Sequence, residues 1–473
     1  MSCFLYPRSP PSNPVCTVYS IPEVECHTSQ RGPILRRRVC KWSAVLSGAV
    51  VAVSAGLVSA PVASSLPTAE VAIGDFYSTP VPLPDVAAGA VIRTEPAHLA
   101  LSVPGQPEMI PASATRIMYR SSDTHDEPAA VVGTYLEPAA PWTGPGERPL
   151  VAFAGGSKGQ GDQCAPSKLL AKLVDVEPPM DVMVEFDVLA LYALLARGMA
   201  VVMTDYQGLG TPAVHDFLNR KSQGYAVLDA ARAALALPGN GIGAGAPVML
   251  YGYSQGGSAT GAAAELQPSY APELNVRGAY VGAPVVDVMA FIAHSDGKAN
   301  LAPAYAWLLN GIAADYPDAR PELEAELNDT GKAILAEAQG KCAVLSGIAQ
   351  RFPSTAQWTT SGEPLRAVIE RLPAVSRAVA EQQLGYQAPA VPVLVASSRN
   401  DDVPPYGTVR SAVAQWCAAG AIVELDADLQ MPAIAGTAPD HVVSFFPALE
   451  ASQQWMTDRL AGLPAPNNCP RLP

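Results

Sequence analysis

The chain has 473 residues, 49% of them hydrophobic and 15% charged, which is globular composition with ample length for a large core. Its formal net charge is −13. A surface that neutralises phosphates needs the opposite balance, which argues against nucleic acid as a partner.

Residues 1–65 read as a leader and secretory signal. Basic "RRR" at 36–38 precedes "WSAVLSGAVVAVSAGLVSAPVA", and no charge occurs between Lys41 and Glu70. A basic start, an apolar run and small residues near Ala60 and Ala63 predict export, with cleavage near residues 60–70. The run is also long enough to cross a bilayer, but its small residues and Pro61 favour a cleaved signal and a secreted product. Residues 1–35 carry Cys3, Cys16 and Cys26 and fit neither picture. They read as a start site set too far upstream.

From about residue 112 strands and helices alternate. "TRIMYRSS" and "AAVVGTYLEP" predict an antiparallel pair. "RPLVAFAGG" is a buried strand ending in glycines, and "DVLALYALLARG" is a helix closed by Gly198. "MAVVMTDYQGLG" is a strand, "QGYAVLDAARAALAL" has apolar residues at helical spacing, and "PVMLYGY" is the next strand. "VRGAYVGAP", "VPVLVASS" and "AIVEL" follow. This order predicts an α/β fold, a mostly parallel sheet with helices on both faces, whose site lies at the carboxyl ends of the strands. The core is expected over 66–290 and 389–473. Between them, residues 291–388 read as a helical insertion. Leu301, Tyr305, Leu308, Leu309 and Ile312 share one helical face; Leu365, Val368, Ile369 and Leu372 share another, stopped by Pro373. An insertion there would cap the strand ends. "GIGAG" at 241–245 precedes a strand, whereas a dinucleotide loop follows one, so it reads as a turn.

"GYSQG" at 252–256 fits G-x-S-x-G. In that turn a serine sits on a strained strand-to-helix bend with its Oγ exposed, as in the α/β-hydrolase fold. Ser254 is thus a candidate nucleophile, and it needs a base and an orienting acid in the chain order Ser, Asp or Glu, His. Of six histidines only His294 and His441 follow Ser254. His294 starts the insertion. His441, in "APDHVVSFF", reads as a loop residue after the last strand and is the expected base. "VPVLVASSRNDDVPPY" offers Asp401 and Asp402 as the acid; Asp287 is a weaker candidate one strand earlier. The backbone N–H groups of Gln255 and of Ser157, in "GGSKG", are the expected oxyanion donors. Lys158 is no phosphate ligand, because G-K-[ST] is absent. Beyond the leader the cysteines are Cys164, Cys342, Cys417 and Cys469. They predict two disulfides in an exported chain, with three pairings open. C-x-x-C is absent, and neither a metal nor a cofactor is expected.

"TDYQGLGTP", "GYSQGG", "CAPS", "DDVPPY" and the late His441 together resemble the secretory lipase family, the fungal and actinobacterial lipase A type of α/β-hydrolase. The resemblance runs from "DFYSTP" (75–80) to "DRLAGLPAPNNC" (458–469). It implies a Ser-Asp-His lipase or esterase with a helical cap before the acid strand. Ser254 would be the nucleophile, Asp401 the acid and His441 the base. Cys164 would pair with Cys342, and Cys417 with Cys469. It also implies a lipid or other ester substrate, while the apolar faces of the inserted helices predict medium or long acyl chains and transient contact of the cap with a lipid interface. One departure stands out: where many members carry a His-Gly-Thr type motif, this chain has Gly155-Gly156-Ser157. The same triad also serves acyltransferases and peptidases, and the fold alone would suit a non-catalytic cell-wall or lipid-binding protein.

Overall fold

A computed structural model describes residues 76–100, 112–177, 181–297, 301–342, 354–401, 403–427, 429 and 439–472. The leader reading for residues 1–65 and the candidate acid Asp402 lie outside the described residues.

The chain opens with strands β1 (Val91–Ala97), β2 (Ala112–Ser122), β3 (Pro128–Pro138) and β4 (Leu150–Ala154). A short helix α1 (Pro166–Leu169) leads to a hairpin of β5 (Val174–Glu177) and β6 (Asp181–Val184). Then come α2 (Val188–Ala196), β7 (Ala200–Thr204), α3 (Arg220–Ala236), β8 (Val248–Tyr253), α4 (Gln255–Tyr270) and β9 (Val276–Gly282). Among the described residues six α-helices follow: α5 (Val288–Ser295), α6 (Ala302–Asp315), α7 (Ala319–Glu326), α8 (Asp329–Ala338), α9 (Leu365–Arg371) and α10 (Pro373–Ala380). The chain closes with β10 (Val393–Ala396), α11 (Tyr406–Ala418), β11 (Val423–Asp426) and α12 (Pro439–Leu460).

Among the described residues nine strands form one sheet, in the order β1-β2-β3-β7-β4-β8-β9-β10-β11. From β7 to β11 every pairing is parallel; β1, β2 and β3 form an antiparallel edge. The central strands are apolar throughout because both faces are covered. Leu150, Ala152 and Ala154 of β4 pack on the side of α3, α4 and α11. Val151 and Phe153 pack with Leu191 and Leu194 of α2 and Trp455 and Met456 of α12 on the other. Capping is local: the Asn219 side chain accepts from the N–H groups of Lys221 and Ser222 to start α3.

The helices between β9 and β10 hold a separate apolar cluster that includes Tyr305, Leu308, Trp358, Ile369 and Val375. The two helical faces read in the sequence are those of α6 and α9. Pro373 ends α9 and also opens α10 in the first-turn position that proline tolerates. Two features were not foreseen. β1 is a half-buried edge strand with little apolar pattern. The β5–β6 hairpin is too short to register as two strands.

Among the described residues two disulfides are present. Cys164–Cys342 spans 178 residues and joins the turn after the β4 loop to the chain beyond α8. The N–H groups of Gln160 and Gly161 donate to Lys341 O beside it. Cys417–Cys469 spans 52 residues and ties α11 to the C-terminal tail, where Asn468 bonds to the backbone of Val423 and Leu425. The longer closed loop restricts the unfolded chain more. Removing Cys164–Cys342 by double serine substitution should cost about 5 kcal/mol, and removing Cys417–Cys469 about 4 kcal/mol, as upper figures for the entropic effect. Urea unfolding of both variants checks the ranking, and a larger loss from Cys417–Cys469 would contradict it.

Candidate active site

Ser254 stands between β8 and α4 with φ 62° and ψ −122°, a conformation L residues rarely adopt. The bend closes because the residues two before and two after Ser254 are glycines. A Cβ on Gly252 would lie 2.2 Å from the carbonyl oxygen of Gly256, and one on Gly256 would lie 2.0 Å from that of Ala154. The Ser254 N–H donates to Gly282 O at 2.9 Å, which ties the turn to β9. Ser254 is partly exposed while its neighbours in the turn are buried.

Three predicted residues come together here. Ser254 Oγ lies 2.9 Å from His441 Nε2. His441 Nδ1 lies 2.9 Å and 3.1 Å from the two carboxylate oxygens of Asp401. A carboxylate only accepts, so Nδ1 carries the proton and the Nε2 lone pair faces the serine hydroxyl. Asp401 follows β10, is buried, and also accepts from the Val403 N–H. His441 differs from expectation in one respect: it belongs to the first turn of α12, not to a loop. The Tyr253 hydroxyl donates to His441 O at 2.6 Å, so the residue before the serine holds the histidine backbone. Asp287 and His294 lie elsewhere. Asp287 caps α5 by accepting from the Ala290 N–H, and both line a groove between α5 and α11 whose walls do not include Ser254.

The loop after β4 runs against the turn. The Tyr206 hydroxyl donates to Gly155 O at 2.7 Å, and the Gly156 N–H donates to Asp187 Oδ2 at 2.9 Å. A Cβ on Gly156 would meet Phe186 at 2.7 Å and Tyr253 O at 3.4 Å. Ser157, next in line, is half-buried. Lys158 is buried, with Nζ 2.6 Å from Glu185 Oε1 and 2.8 Å from Asp187 Oδ2. Burial alone would push the Lys158 ammonium down, but Asp187 and Glu185 outweigh it and hold it above its ordinary value. Burial pushes Glu185 up to about 7, with Lys158 opposing and the Asp187 charge adding to the rise.

Gln255, first residue of α4, is held by His215, a histidine that precedes Ser254 in the chain. Its side-chain Nε2 lies 3.0 Å from His215 Nε2, and His215 Nδ1 lies 2.9 Å from Gln207 O. A carbonyl accepts, so Nδ1–H donates to it and Nε2 accepts from Gln255. Gln160 then donates to His215 O and Trp307 O, and Asn310 of α6 donates to Gln160 Oε1. One buried polar chain thus joins the serine turn, the β4 loop and α6. Only the histidine in "GTPAVHDF" hinted at it, and no local pattern marks its partner.

His215 is fully buried, and desolvation lowers it from 6.5 to about 4. As pH falls from 7 the unfolded chain takes up this proton before the folded one does. The stability tied to a neutral His215 is therefore full above about pH 6.5 and is lost on the way down to about pH 4. Between pH 7 and pH 5 the loss should be about 2 kcal/mol. His215→Asn lacks this component, so its unfolding free energy in urea should decline less than wild type over that interval by about the same amount. Equal declines would rule out the depressed histidine.

Comparison with known proteins adds the lineage. The family model described as secretory lipase matches residues 176–468. A Mycobacterium tuberculosis protein named "Probable inactive lipase" is 28% identical over 396 residues, 82% of each chain. Lipase A of Arthroderma benhamiae is 28% identical over 400 residues, 83% of this chain and 80% of its own. Among solved structures, lipase A of Candida antarctica in its closed state superposes with a TM-score of 0.69 at 22% identity, covering 83% of this chain and 87% of that one. At that identity the likeness speaks for the fold, the α/β-hydrolase fold with its mostly parallel sheet. With more than half the chain matched, this protein belongs to the secretory lipase family and is an extracellular ester hydrolase.

Proposed function

We propose that the protein hydrolyses carboxylic esters, lipids among them, through an acyl-enzyme on Ser254. The observation that carries this reading is the unbroken line from Ser254 Oγ through His441 to Asp401. His441 Nε2 takes the serine proton as Oγ attacks the ester carbonyl, and returns it to the leaving alcohol. Asp401 holds the tautomer and stabilises the imidazolium. Water, activated by the same histidine, then releases the acid. The N–H groups of Gln255 and Ser157 receive the oxyanion. The helices over 291–388, inserted between core segments 66–290 and 389–473, act as a cap that shapes the acyl site and favours medium or long chains. Export follows cleavage near residues 60–70.

Contact with lipid has support beside the triad. Val442 and Phe446 are 59% and 54% exposed. They lie one and five positions after His441 on α12, so they share a helix face. The rival of a different class is a lipid-binding protein without catalysis, raised by the mycobacterial relative's name. Here all three triad side chains are present and mutually bonded, which a binder does not need.

Hydrolysis of p-nitrophenyl esters from C2 to C16 tests the reading. Wild type should turn over medium or long chains. Ser254→Ala and His441→Ala should lose about four or more orders of magnitude in kcat while folding normally. Asp401→Asn should lose about four orders of magnitude through the wrong histidine tautomer. No hydrolysis at any chain length would favour the binding protein, and a His441→Ala variant of near-normal activity would overturn the triad.

A further inference from the structure

The segment Glu185-Phe186-Asp187 between β6 and α2 has an unusual arrangement. Asp187 is the N-cap residue of α2, a position where an aspartate normally accepts from its own helix's first N–H groups. Its side chain makes no such bond. Oδ2 instead reaches the β4 loop twice, accepting from the Gly156 N–H at 2.9 Å and from Lys158 Nζ at 2.8 Å. Lys158 also contacts Glu185 Oε1, and its ammonium lies 3.6 Å from the centre of the Phe186 ring. Lys158, Glu185 and Asp187 are 2%, 0% and 0% exposed. Glu185 Oε2 and Asp187 Oδ1 are buried without hydrogen-bond partners.

Such a cluster is a poor stabilising device. Taking three charges out of water costs several kcal/mol per ion, and well-packed apolar residues would often do as well or better. What it does provide is a fixed loop. Gly156 and Lys158 are the residues on either side of Ser157, and one carboxylate oxygen holds both. The Phe186 ring fills the space a side chain at Gly156 would need.

We propose that Asp187 and Lys158 are positioning residues, whose buried ion pair sets the Ser157 N–H toward the acyl oxygen above Ser254. The proposal rests on Ser157 and Gln255 being the oxyanion donors. Lys158 has a second effect in this arrangement: it neutralises carboxylates that would otherwise oppose a developing oxyanion nearby. Donors already in place when charge develops require no reorganisation during reaction. Loss of the clamp therefore weakens binding of the transition state and leaves ground-state binding of the ester largely alone.

The test measures kcat and KM for p-nitrophenyl butyrate and the Ki of phenylboronic acid, whose adduct with a serine hydroxyl is tetrahedral and anionic. Rates are referred to active sites titrated with a p-nitrophenyl phosphonate. Asp187→Ala removes both bonds. Asp187→Asn keeps an acceptor for the Gly156 N–H, and Lys158→Met keeps the side-chain length without charge. Asp187→Ala should lose roughly 10²–10³ in kcat, comparable to removal of one oxyanion donor, with KM within about threefold. Asp187→Asn and Lys158→Met should each lose about tenfold or more, and the boronate Ki should rise in parallel with the loss of kcat. A purely structural role would lower the titratable fraction and Tm while leaving kcat per site and Ki unchanged. If Asp187→Ala does not fold, the two milder variants decide: both within threefold of wild type in kcat per site and in Ki would overturn the proposal. A wild-type protein without esterase activity, or an active Ser254→Ala variant, would instead overturn the ester-hydrolysis mechanism itself.

Discussion

The bend at Ser254 is the constraint around which the rest of the molecule is arranged. A non-glycine residue at φ 62° is held against its preference at a cost of order 1–3 kcal/mol, so its surroundings must over-determine it. They do so through backbone contacts. The Ser254 N–H is bonded to Gly282 O, and the carbonyls of Gly256 and Ala154 occupy the space that side chains at 252 and 256 would take. The start of α4 is therefore pressed onto β4 and β9. Its run of small residues is what permits that approach.

Parallel strands deliver the remaining groups because all their carboxyl ends open on one edge of the sheet. β4 delivers the loop from Gly155, β8 delivers Ser254 and β10 delivers Asp401. His441 arrives differently, from the first turn of α12, with its carbonyl bonded to the Tyr253 hydroxyl. This contact between Tyr253, next to Ser254, and the His441 backbone keeps the imidazole in register with the turn. The Cys164–Cys342 disulfide extends the same logic outward, fastening the β4 loop to the chain that follows α8.

Buried polar groups form a second layer behind the turn. His215 stays neutral because burial opposes its charge, and a neutral ring can accept from Gln255 while donating to Gln207 O. Through Gln160 and Asn310 this chain reaches α6, which brings the helical insertion and the serine turn into one hydrogen-bonded network. Low local dielectric strengthens each bond and penalises any group left without a partner, so the network holds a single arrangement.

What the sequence determined was whatever depends on short-range pattern. Apolar runs that alternate with helical spacing dictated the α/β order, because burial on both faces leaves no room for polar residues in a central strand. "GYSQG" announced the bend, since only glycines fit two residues before and after the serine, and the chain order narrowed the histidines that could face Ser254 to two. The tertiary structure decided the pairings between distant side chains. Asp401 meets His441 across 40 residues, Lys158 meets Asp187 across 29, and the cysteines pair in one of three ways. His441 reads as a loop residue from its place after the last strand, although Thr437, Pro439 and Asp440 carry the pattern of a helix start. The sequence around Lys158 carries no sign of a buried ion pair because its carboxylate partners lie beyond an intervening hairpin. Neither local propensity nor spacing records which charges will share a buried site; that follows only once the sheet has folded and set its strand ends side by side.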